Sequence, residues 1–363
     1  MKEIMIGNGA VARGLYEAGC DIISSYPGTP STEITEFAAK YEDIYCEWAP
    51  NEKVAMEVAF GASLAGKRSC CAMKHVGLNV AADPLYTLSY TGVNGGMVIC
   101  VADDPGMHSS QNEQDSRHHA IASKVPMLEP ADSAESLLFV KEAFEISEKF
   151  DTPVILRMCT RIAHSQSIVE TGERKEIAAK PYEKNPSKFI MMPGNAKKRH
   201  PFVEERTKRL SEFSEDCVFN KVEENGAELG IITSGTSYQY VKEVFGDKAN
   251  ILKLGMVNPL PVEIIKDFAS KVKRVVVIEE LDSIIETHCR NIGIEAEGKE
   301  LFSCVGEFSQ RTIAEAFGFE AKEFVALYAI LISPVIPECI NVESPITATV
   351  FCSLSLPSAL LNP

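Results

Sequence analysis

Short runs of apolar residues alternate with helical patterns through the first part of the chain. The runs have the length of strands and lack the apolar–polar alternation of a half-exposed sheet, which is typical of parallel strands buried on both faces. Four such runs are CDIISSY (20–26), SCCAM (69–73), GMVICVA (96–102) and PVILRM (153–158). We therefore predict a doubly wound, parallel-sheet α/β domain over residues 1–165.

Helical periodicity fills the gaps between these runs. The predicted helices are STEITEFAAKY (31–41), NEKVAMEVAFGASLAG (51–66), LNVAADPLYTL (78–88) and SAESLLFVKEAFEISEKF (133–150). The second of them is mostly apolar, with Asn51 as a good N-cap and Glu52 in its first turn. A carboxylate at this place can simply stabilise the positive end of the helix dipole, or it can point into a dry pocket and handle a proton.

The middle of the chain has a different character. In residues 166–226 charges of both signs are dense, no strand pattern is present, and HPFVEERTKRLSEF (200–213) predicts an exposed helix, so we interpret this stretch as a charged helical linker. A second α/β unit is predicted over residues 227–320, where strand and helix patterns alternate again. Its elements are ELGIITSG (228–235), SYQYVKEVF (237–245), NILKLG (250–255), PVEIIKDFASKV (261–272) and RVVVIEEL (274–281).

Residues 321–363 differ in composition from everything before them. No lysine or arginine follows Lys322, and no helical or strand period holds through residues 338–363. The apolar stretch FVALYAILISPVIP (324–337) is too short and too rich in proline to span a bilayer. The abrupt change favours a shifted reading frame over an edge strand followed by disorder.

The amino-acid composition argues against some classes of binding partner and indicates the state of the cysteines. The 363 residues include 36 Lys or Arg and 51 Asp or Glu, and the resulting net charge of −15 argues against nucleic acid and anionic membrane as partners. The 11 cysteines form no CxxC pair, which favours reduced thiols and gives this chain no iron–sulfur ligand set. With no secretion signal evident, we expect a cytoplasmic location. The cysteines predicted to lie in the core are Cys70, Cys71, Cys100 and Cys159.

Two motifs suggest sites that we consider weak. The segment GNGAVA (7–12) matches the G-x-G-x-x-A fingerprint of dinucleotide-binding folds. The apolar run before it is only three residues long, and the next predicted strand ends without an acid for a ribose hydroxyl. An NAD-binding oxidoreductase therefore stays as the less favoured alternative. His118 and His119 are adjacent and would point apart on a helix, so we predict no metal site there.

Polar turns follow three of the predicted parallel strands. They are SSYPGTPSTE (24–33), KHVG (74–77) and HSSQNEQDSRHH (108–119). Because the carboxyl ends of parallel strands meet at one edge of a sheet, we expect Thr29, His75 and Arg117 to converge on one rim. Pro27 and Gly28 predict a tight turn that would place the Thr29 hydroxyl toward the crevice.

Four motifs in order carry a resemblance to a known family. They are YPGTPSTEI, NEKVAMEVAFGASLAG, MKHVGLNVAADPL and DDPGMHSSQNEQDSRHHA. Together they resemble the alpha subunit of indolepyruvate ferredoxin oxidoreductase, within the thiamine-diphosphate-dependent 2-oxoacid:ferredoxin oxidoreductase superfamily. The resemblance runs from the first residues to about residue 320. It implies a pyrimidine-binding domain of the thiamine-diphosphate-binding fold, followed by a transketolase C-terminal-like α/β domain in which KLGMVNPLP (253–261) has the expected place.

The resemblance implies a chemical role for Glu52. In this family a glutamate at the head of a helix hydrogen-bonds to N1′ of the cofactor's aminopyrimidine and favours the tautomer that removes the C2 proton. Glu52 is thereby implied as catalytic and cofactor-binding. Glu57 lies five residues on and is not on the same helical line as Glu52, so we expect it to be structural. The chemistry needs a carboxyl group in a nearly dry site, where the hydrogen bond that it makes is strengthened.

The other implied contacts surround the same site. Thr29 corresponds to the threonine of the family's YP-x-TPS motif and is implied to contact substrate or thiazolium, with Pro27 and Gly28 as further cofactor-binding residues. The remaining implied substrate contacts are Arg117, through a loosely spaced match to an arginine that pairs with the 2-oxoacid carboxylate, and Lys74 and His75.

The resemblance also implies a reaction and its partners. The reaction would be oxidative decarboxylation of an aryl-2-oxoacid such as indolepyruvate to an aryl-acyl-CoA, with CoA as the acyl acceptor, ferredoxin as the electron acceptor and a beta subunit as a partner. This chemistry belongs to aromatic amino acid degradation in anaerobes.

Two sequence features of the family are missing from this sequence. Family members are considerably longer, and their further part carries a GDG…N motif for Mg²⁺ and the cofactor's diphosphate, followed by cysteines for 4Fe-4S clusters. Neither feature is present in this sequence. We therefore expect a truncated or frameshifted N-terminal half that is inactive in isolation. The alternative is a non-catalytic fragment that needs a separate diphosphate-binding chain.

Overall fold

The computed structural model describes residues 1–319, so the tail predicted for residues 321–363 lies outside the described part. Its strands form sheets of seven, four and two strands. The strands are β1 (Lys2–Ile6), β2 (Ile22–Ser25), β3 (Tyr45–Trp48), β4 (Ser69–Lys74), β5 (Met97–Asp103), β6 (Met127–Leu128), β7 (Val154–Cys159), β8 (Gln166–Glu170), β9 (Lys221–Glu223), β10 (Leu229–Ser234), β11 (Asn250–Leu254), β12 (Met256–Asn258) and β13 (Arg274–Ile278).

Fourteen α-helices connect or flank these strands within residues 1–319. They are α1 (Gly7–Glu17), α2 (Thr32–Ala38), α3 (Glu52–Leu64), α4 (His75–Val80), α5 (Ala82–Thr91), α6 (Arg117–Ser123), α7 (Ser133–Phe150), α8 (Thr160–His164), α9 (Pro186–Phe189), α10 (Pro193–Glu215), α11 (Gly235–Phe245), α12 (Glu263–Ser270), α13 (Ile284–Asn291) and α14 (Gln310–Ala316).

The seven-stranded sheet has the order β12-β6-β7-β5-β4-β2-β3. All its strands except β12 run parallel, which confirms the parallel sheet that the continuous apolar runs predict. Every residue of β5 and of β7 is buried, because helices cover both faces of the sheet. The four predicted core cysteines are buried as well. The pattern did not reveal β3 and β6, which are only four and two residues long.

The four-stranded sheet has the order β13-β10-β11-β9 and forms the centre of the second α/β unit. β10 is parallel to both β11 and β13, as the alternation of strand and helix patterns predicts. Directly after β11 the chain crosses to the other sheet, where β12 pairs antiparallel with β6. The second unit therefore contributes a strand to the sheet of the first unit, and the chain crosses between the two sheets within KLGMVNPLP (253–261).

The segment GNGAVA does not have the setting that dinucleotide binding requires. β1, the strand before it, pairs antiparallel with β8 in the two-stranded sheet and lies outside the seven-stranded sheet. A Cβ on Gly7 would lie 2.0 Å from the carbonyl oxygen of Ile162, so this glycine allows α1 to pack against α8. The NAD-binding alternative is therefore wrong, because the fingerprint needs a central strand and a glycine that is open to a pyrophosphate.

The linker predicted over residues 166–226 is only partly as expected. The prediction that it contains no strand is wrong, because β8 and β9 lie within it and pair with β1 and β11. The predicted helix is confirmed and is longer, as α10. It is not simply exposed, since it buries Val203, Arg206, Leu210 and Ser214. Because the buried face includes the polar residues Arg206 and Ser214, the sequence does not show an apolar stripe along this helix.

Asp151 fixes the linker to the first unit. This residue caps the C-terminus of α7 in the left-handed region, with φ +55°. Its Oδ1 accepts hydrogen bonds from the backbone N–H of Val93 at 2.9 Å and from Lys188 Nζ at 2.8 Å. Oδ2 accepts from Arg199 Nη2 at 3.1 Å, and the carbonyl oxygen accepts from Arg206 Nη1 at 2.9 Å. One aspartate thus gathers three basic side chains of the linker.

We expect Asp151→Ala to lower the free energy of unfolding by about 1–3 kcal/mol, because partly buried donors lose their acceptor together with the lost cap. Urea unfolding followed by circular dichroism measures this change. The control is Glu228→Ala, which removes an ion pair with Lys273 in which both side chains are more than 70% exposed. That control should change the stability by less than about 0.5 kcal/mol. Equal effects of the two variants would contradict the role assigned to Asp151.

Candidate functional site

The seven-stranded sheet has a topological switch point at its carboxyl edge, between β2 and β4. The chain leaves β2 toward β3 and leaves β4 toward β5, and these two strands lie on opposite sides of the β2–β4 pair. In open α/β sheets, ligands bind at such a topological switch point. The turn after β2, the first residues after β4 and the start of α3 are therefore the elements that can form a site.

Glu52 lies at this edge, at the start of α3. Asn51 caps the helix by accepting a hydrogen bond from the backbone N–H of Val54 at 3.0 Å, as the sequence predicts. Glu52 is only 8% exposed, and within residues 1–319 its carboxyl group has no hydrogen-bond or ion-pair partner. Its oxygens are not among the fully enclosed polar atoms of the described residues, so the carboxyl group keeps a small contact with solvent. Glu57, which follows in the same helix, is exposed.

The Glu52 side chain packs against the backbone of Gly77 in α4. A Cβ on Gly77 would lie 2.5 Å from Oε1 and 2.9 Å from the carboxyl carbon of Glu52, so only glycine leaves room for this carboxyl group. Sequence reasoning did not assign a role to Gly77. The available signal was a glycine inside a predicted helix, where it is unfavourable without a packing reason.

The turn after β2 meets the end of β4. A Cβ on Gly28 would lie 3.0 Å from Cδ of Lys74, the last residue of β4, so the turn rests on the lysine side chain. Lys74 Nζ donates to the carbonyl oxygen of Ser109 at 2.9 Å, and Ser109 Oγ donates to the carbonyl oxygen of Thr29 at 3.2 Å. Pro27 and Thr29 are exposed on this turn. The structure thus brings the predicted residues of the turn together with Lys74.

His75 has a different environment from the one expected of a substrate contact. The residue is 1% exposed and begins α4. Its Nε2 lies 3.1 Å from the carbonyl oxygen of Asn112, so Nε2–H donates and Nδ1 is left as a fully enclosed acceptor without a partner among residues 1–319. The ring therefore holds the 104–116 loop against the end of β4.

The 104–116 loop is organised by Asp104. The carboxylate accepts from the backbone N–H of Ser109 at 2.9 Å and from Ser110 Oγ at 2.7 Å. Burial alone would raise the pKa of Asp104, but these hydrogen bonds outweigh it and lower that pKa. The Ser109 and Asn112 carbonyls are thereby held toward Lys74 and His75.

Arg117 does not join this rim. It is 1% exposed, and Nε and Nη2 donate to Asp115 at 2.9 and 2.6 Å. Nη1 donates to Glu279 Oε2 at 2.5 Å, and Nη2 also donates to the carbonyl oxygens of Glu280 and Asp282. All three guanidinium nitrogens thus donate to Asp115 or to residues of the second unit. This geometry gives no support to the substrate contact expected for Arg117, because the side chain is 1% exposed and its charge is already paired with two carboxylates.

A second buried arginine, Arg157 on β7, extends the same network. It donates to Asp103 at 2.7 Å and to Glu129 at 2.6 Å, and it lies 3.8 Å from Asp115. Burial alone would raise the pKa of Asp115, but the charges of Arg117 and Arg157 hold that pKa well below its usual range. Sequence reasoning missed this network, because Arg157 lies inside an apolar run and its partners are distant in sequence.

Residues 1–319 show neither a candidate metal site nor a membrane-spanning helix. No three His, Cys, Asp or Glu side chains in residues 1–319 are grouped so that they could hold a metal ion. His118 Nε2 lies 2.8 Å from Asp282 Oδ2, whereas His119 Nε2 lies 2.9 Å from Asn79 Oδ1, so the two rings have different partners. None of the helices in this range is long and apolar enough to cross a membrane.

Curated proteins from several archaea are similar to the chain at 40–43% identity. The indolepyruvate oxidoreductase subunit IorA of Archaeoglobus fulgidus is 43% identical over 311 residues, which make up 82% of this chain and 50% of that protein. The chain therefore spans about half the length of this curated relative.

Solved structures share the fold. The 2-oxoglutarate:ferredoxin oxidoreductase of Magnetococcus marinus, which was solved with 2-oxoglutarate, coenzyme A and succinyl-CoA bound, superposes with a TM-score of 0.74 at 21% identity, over 87% of this chain and 64% of that one. A split-gene transketolase superposes with a TM-score of 0.51 at 16% identity, over 87% of this chain and 93% of that one. Both confirm the α/β fold that the sequence predicts.

A match to a family model shows which family the chain belongs to. The model, described as pyruvate flavodoxin/ferredoxin oxidoreductase, thiamine diphosphate-binding, matches residues 13–221. That range contains the switch point between β2 and β4, the start of α3 and the 104–116 loop. Since the match covers more than half of the sequence, the chain belongs to the pyruvate flavodoxin/ferredoxin oxidoreductase family and carries its thiamine-diphosphate-binding domain.

Proposed function

We propose that this chain provides the pyrimidine-binding side of a thiamine-diphosphate site in a 2-oxoacid:ferredoxin oxidoreductase, with Glu52 as the residue that handles the proton. The observation that carries this proposal is the Glu52 carboxyl group, which is 8% exposed and has no partner within residues 1–319. It lies at the switch point of a parallel sheet, where ligands bind in this class of fold.

The residues of the site fit the cofactor. A nitrogen heterocycle needs a carboxyl group whose hydrogen-bonding capacity is not already used inside the protein, and Glu52 meets that need. Thiamine diphosphate, when bound, supplies the carbanion stabilisation that decarboxylation of a 2-oxoacid requires. Glu52 would share a proton between a carboxyl oxygen and a ring nitrogen of the bound cofactor, and its largely buried position would strengthen that hydrogen bond.

The rim residues have separate roles in this proposal. Lys74 forms no ion pair with a carboxylate in residues 1–319, and its ammonium group is held near Thr29 by the Ser109 carbonyl and hydroxyl groups. Its charge is therefore free to attract the carboxylate of a 2-oxoacid. Thr29, Pro27 and Gly28 form the turn beside it. We propose that His75, whose ring is enclosed, positions the 104–116 loop and does not touch substrate.

The substrate and partners follow from the relatives. The A. fulgidus protein is named as a subunit of an indolepyruvate oxidoreductase, which supports an aryl-2-oxoacid such as indolepyruvate as substrate and a partner subunit. We propose that CoA accepts the acyl group and that ferredoxin accepts the electrons through clusters held outside this chain. Because the sequence contains no GDG motif, we also propose that the diphosphate and Mg²⁺ are bound by residues outside these 363.

The first prediction from this proposal is that the chain alone binds thiamine diphosphate and Mg²⁺ too weakly to measure at micromolar concentration. The charged diphosphate contributes much of the affinity, and its ligands lie elsewhere. Isothermal titration calorimetry with and without a polypeptide that carries the diphosphate-binding motif tests this. Micromolar binding to the chain alone would show that the diphosphate site is in this chain.

The second prediction concerns Glu52→Gln in the enzyme assembled with its partner. Folding should stay nearly intact, because the change is isosteric and a helix-terminal charge contributes only about 0.3–1 kcal/mol. Turnover of indolepyruvate and exchange of the cofactor's C2 proton should each fall by about 10²–10⁴-fold, because the amide cannot share a proton with the ring nitrogen. Proton NMR measures the exchange independently of substrate binding.

The matched control for that experiment is Glu57→Gln, in the same helix but exposed. It should leave the exchange rate within a few-fold of the unaltered enzyme. If Glu52→Gln exchanged the proton at the normal rate, Glu52 would only stabilise the helix dipole and the proposed function would be wrong.

A further inference from the structure

No hydrogen bond fixes the position of the Glu52 carboxyl group. The Asn51 cap holds the backbone at the start of α3, but it leaves the side chain of Glu52 free to rotate. Within residues 1–319 the carboxyl group has no polar partner. A group that must meet a ligand at a set distance needs some other constraint on its place.

Contact with Gly77 provides that constraint. A Cβ on this glycine would lie 2.5 Å from Oε1, 2.6 Å from Cγ and 2.9 Å from the carboxyl carbon of Glu52. The end of the glutamate side chain therefore occupies the volume that a methyl group on residue 77 would fill. The bare backbone of α4 forms one wall of a slot for the carboxyl group.

The backbone itself does not require glycine at this position. Gly77 lies inside α4 and does not have a positive φ. Alanine would be the better residue for the helix, since glycine is the least favourable residue there apart from proline. The benefit of glycine at this position is therefore the space that it leaves beside Glu52.

We propose that Gly77 is a positioning residue of the cofactor site, because its missing side chain sets where the Glu52 carboxyl group lies. This inference rests on the function proposed for Glu52. The atoms that a methyl group would meet belong to the end of a flexible side chain, so Gly77→Ala displaces the carboxyl group and leaves the helix folded. Gly77→Ala therefore changes the rate of proton transfer only by moving the Glu52 carboxyl group.

The first test uses the chain itself, without cofactor. The matched control is Gly61→Ala in α3, where an added Cβ would have no neighbouring atom within 4 Å. Both variants should unfold at or above the temperature of the unaltered chain. Crystal structures should show the Glu52 carboxyl carbon displaced only in Gly77→Ala, from 2.9 Å to about 3.5 Å or more from the added carbon. An unmoved carboxyl group would overturn the inference.

The second test measures exchange of the cofactor's C2 proton in the assembled enzyme. Gly77→Ala should slow exchange by about 10²-fold, since a misplacement of about 1 Å has this size of effect. Gly61→Ala should not slow it. In a Glu52→Gln background, Gly77→Ala should cause no further loss, because the group that it positions is already disabled.

The outcomes separate the two proposals. If Glu52→Gln slows exchange but Gly77→Ala does not, the inference about Gly77 is wrong and the function proposed for Glu52 stands. If Gly77→Ala slows exchange equally in both backgrounds, it acts by another route and the inference is wrong. If Glu52→Gln has no effect, both proposals fall.

Discussion

One buried arginine, Arg117, joins the carboxyl ends of the two α/β units, and a second, Arg157, extends its network within the first unit. Arg117 joins Asp115 to Glu279, and Arg157 joins Asp103 and lies near Asp115. Charges in such a dry interface are tolerated only because they are paired, and removal of one partner from a buried pair costs about 3–5 kcal/mol. The contacts of Arg117 therefore stabilise the observed arrangement of the two units. They also fix the far end of the 104–116 loop, which runs into Asp115.

The candidate site depends on that arrangement through a chain of contacts. The 104–116 loop, fixed at its end, presents carbonyl groups to Lys74 and His75 at the end of β4. Helix α4 continues from His75 and brings Gly77 against Glu52. A site built in this way is already ordered before a cofactor arrives, which reduces the free-energy cost of binding and of proton transfer. At this site the described residues leave the Glu52 carboxyl group and His75 Nδ1 without hydrogen-bond partners.

The sequence predicts those parts of this structure that depend on local pattern. Parallel strands buried on both faces produce continuous apolar runs, and the N-cap at Asn51 is a short-range signal that the structure confirms. Local pattern fails where distant residues decide the outcome. Arg117 suggested a substrate contact, yet it pairs with Glu279, which is 162 positions away. Arg206 is a charged residue on the buried face of α10, so the sequence does not reveal that face. Gly77 has a role only because Glu52 at the start of α3 packs against it.

The most direct test of this account is a crystal structure of the assembled enzyme with thiamine diphosphate bound. The account predicts that a nitrogen of the aminopyrimidine ring lies within about 2.6–3.2 Å of a Glu52 carboxyl oxygen, the reach of a hydrogen bond. It also predicts that the carboxyl group remains packed against Gly77. A cofactor whose aminopyrimidine is hydrogen-bonded to another residue, with Glu52 turned away from it, would contradict the account.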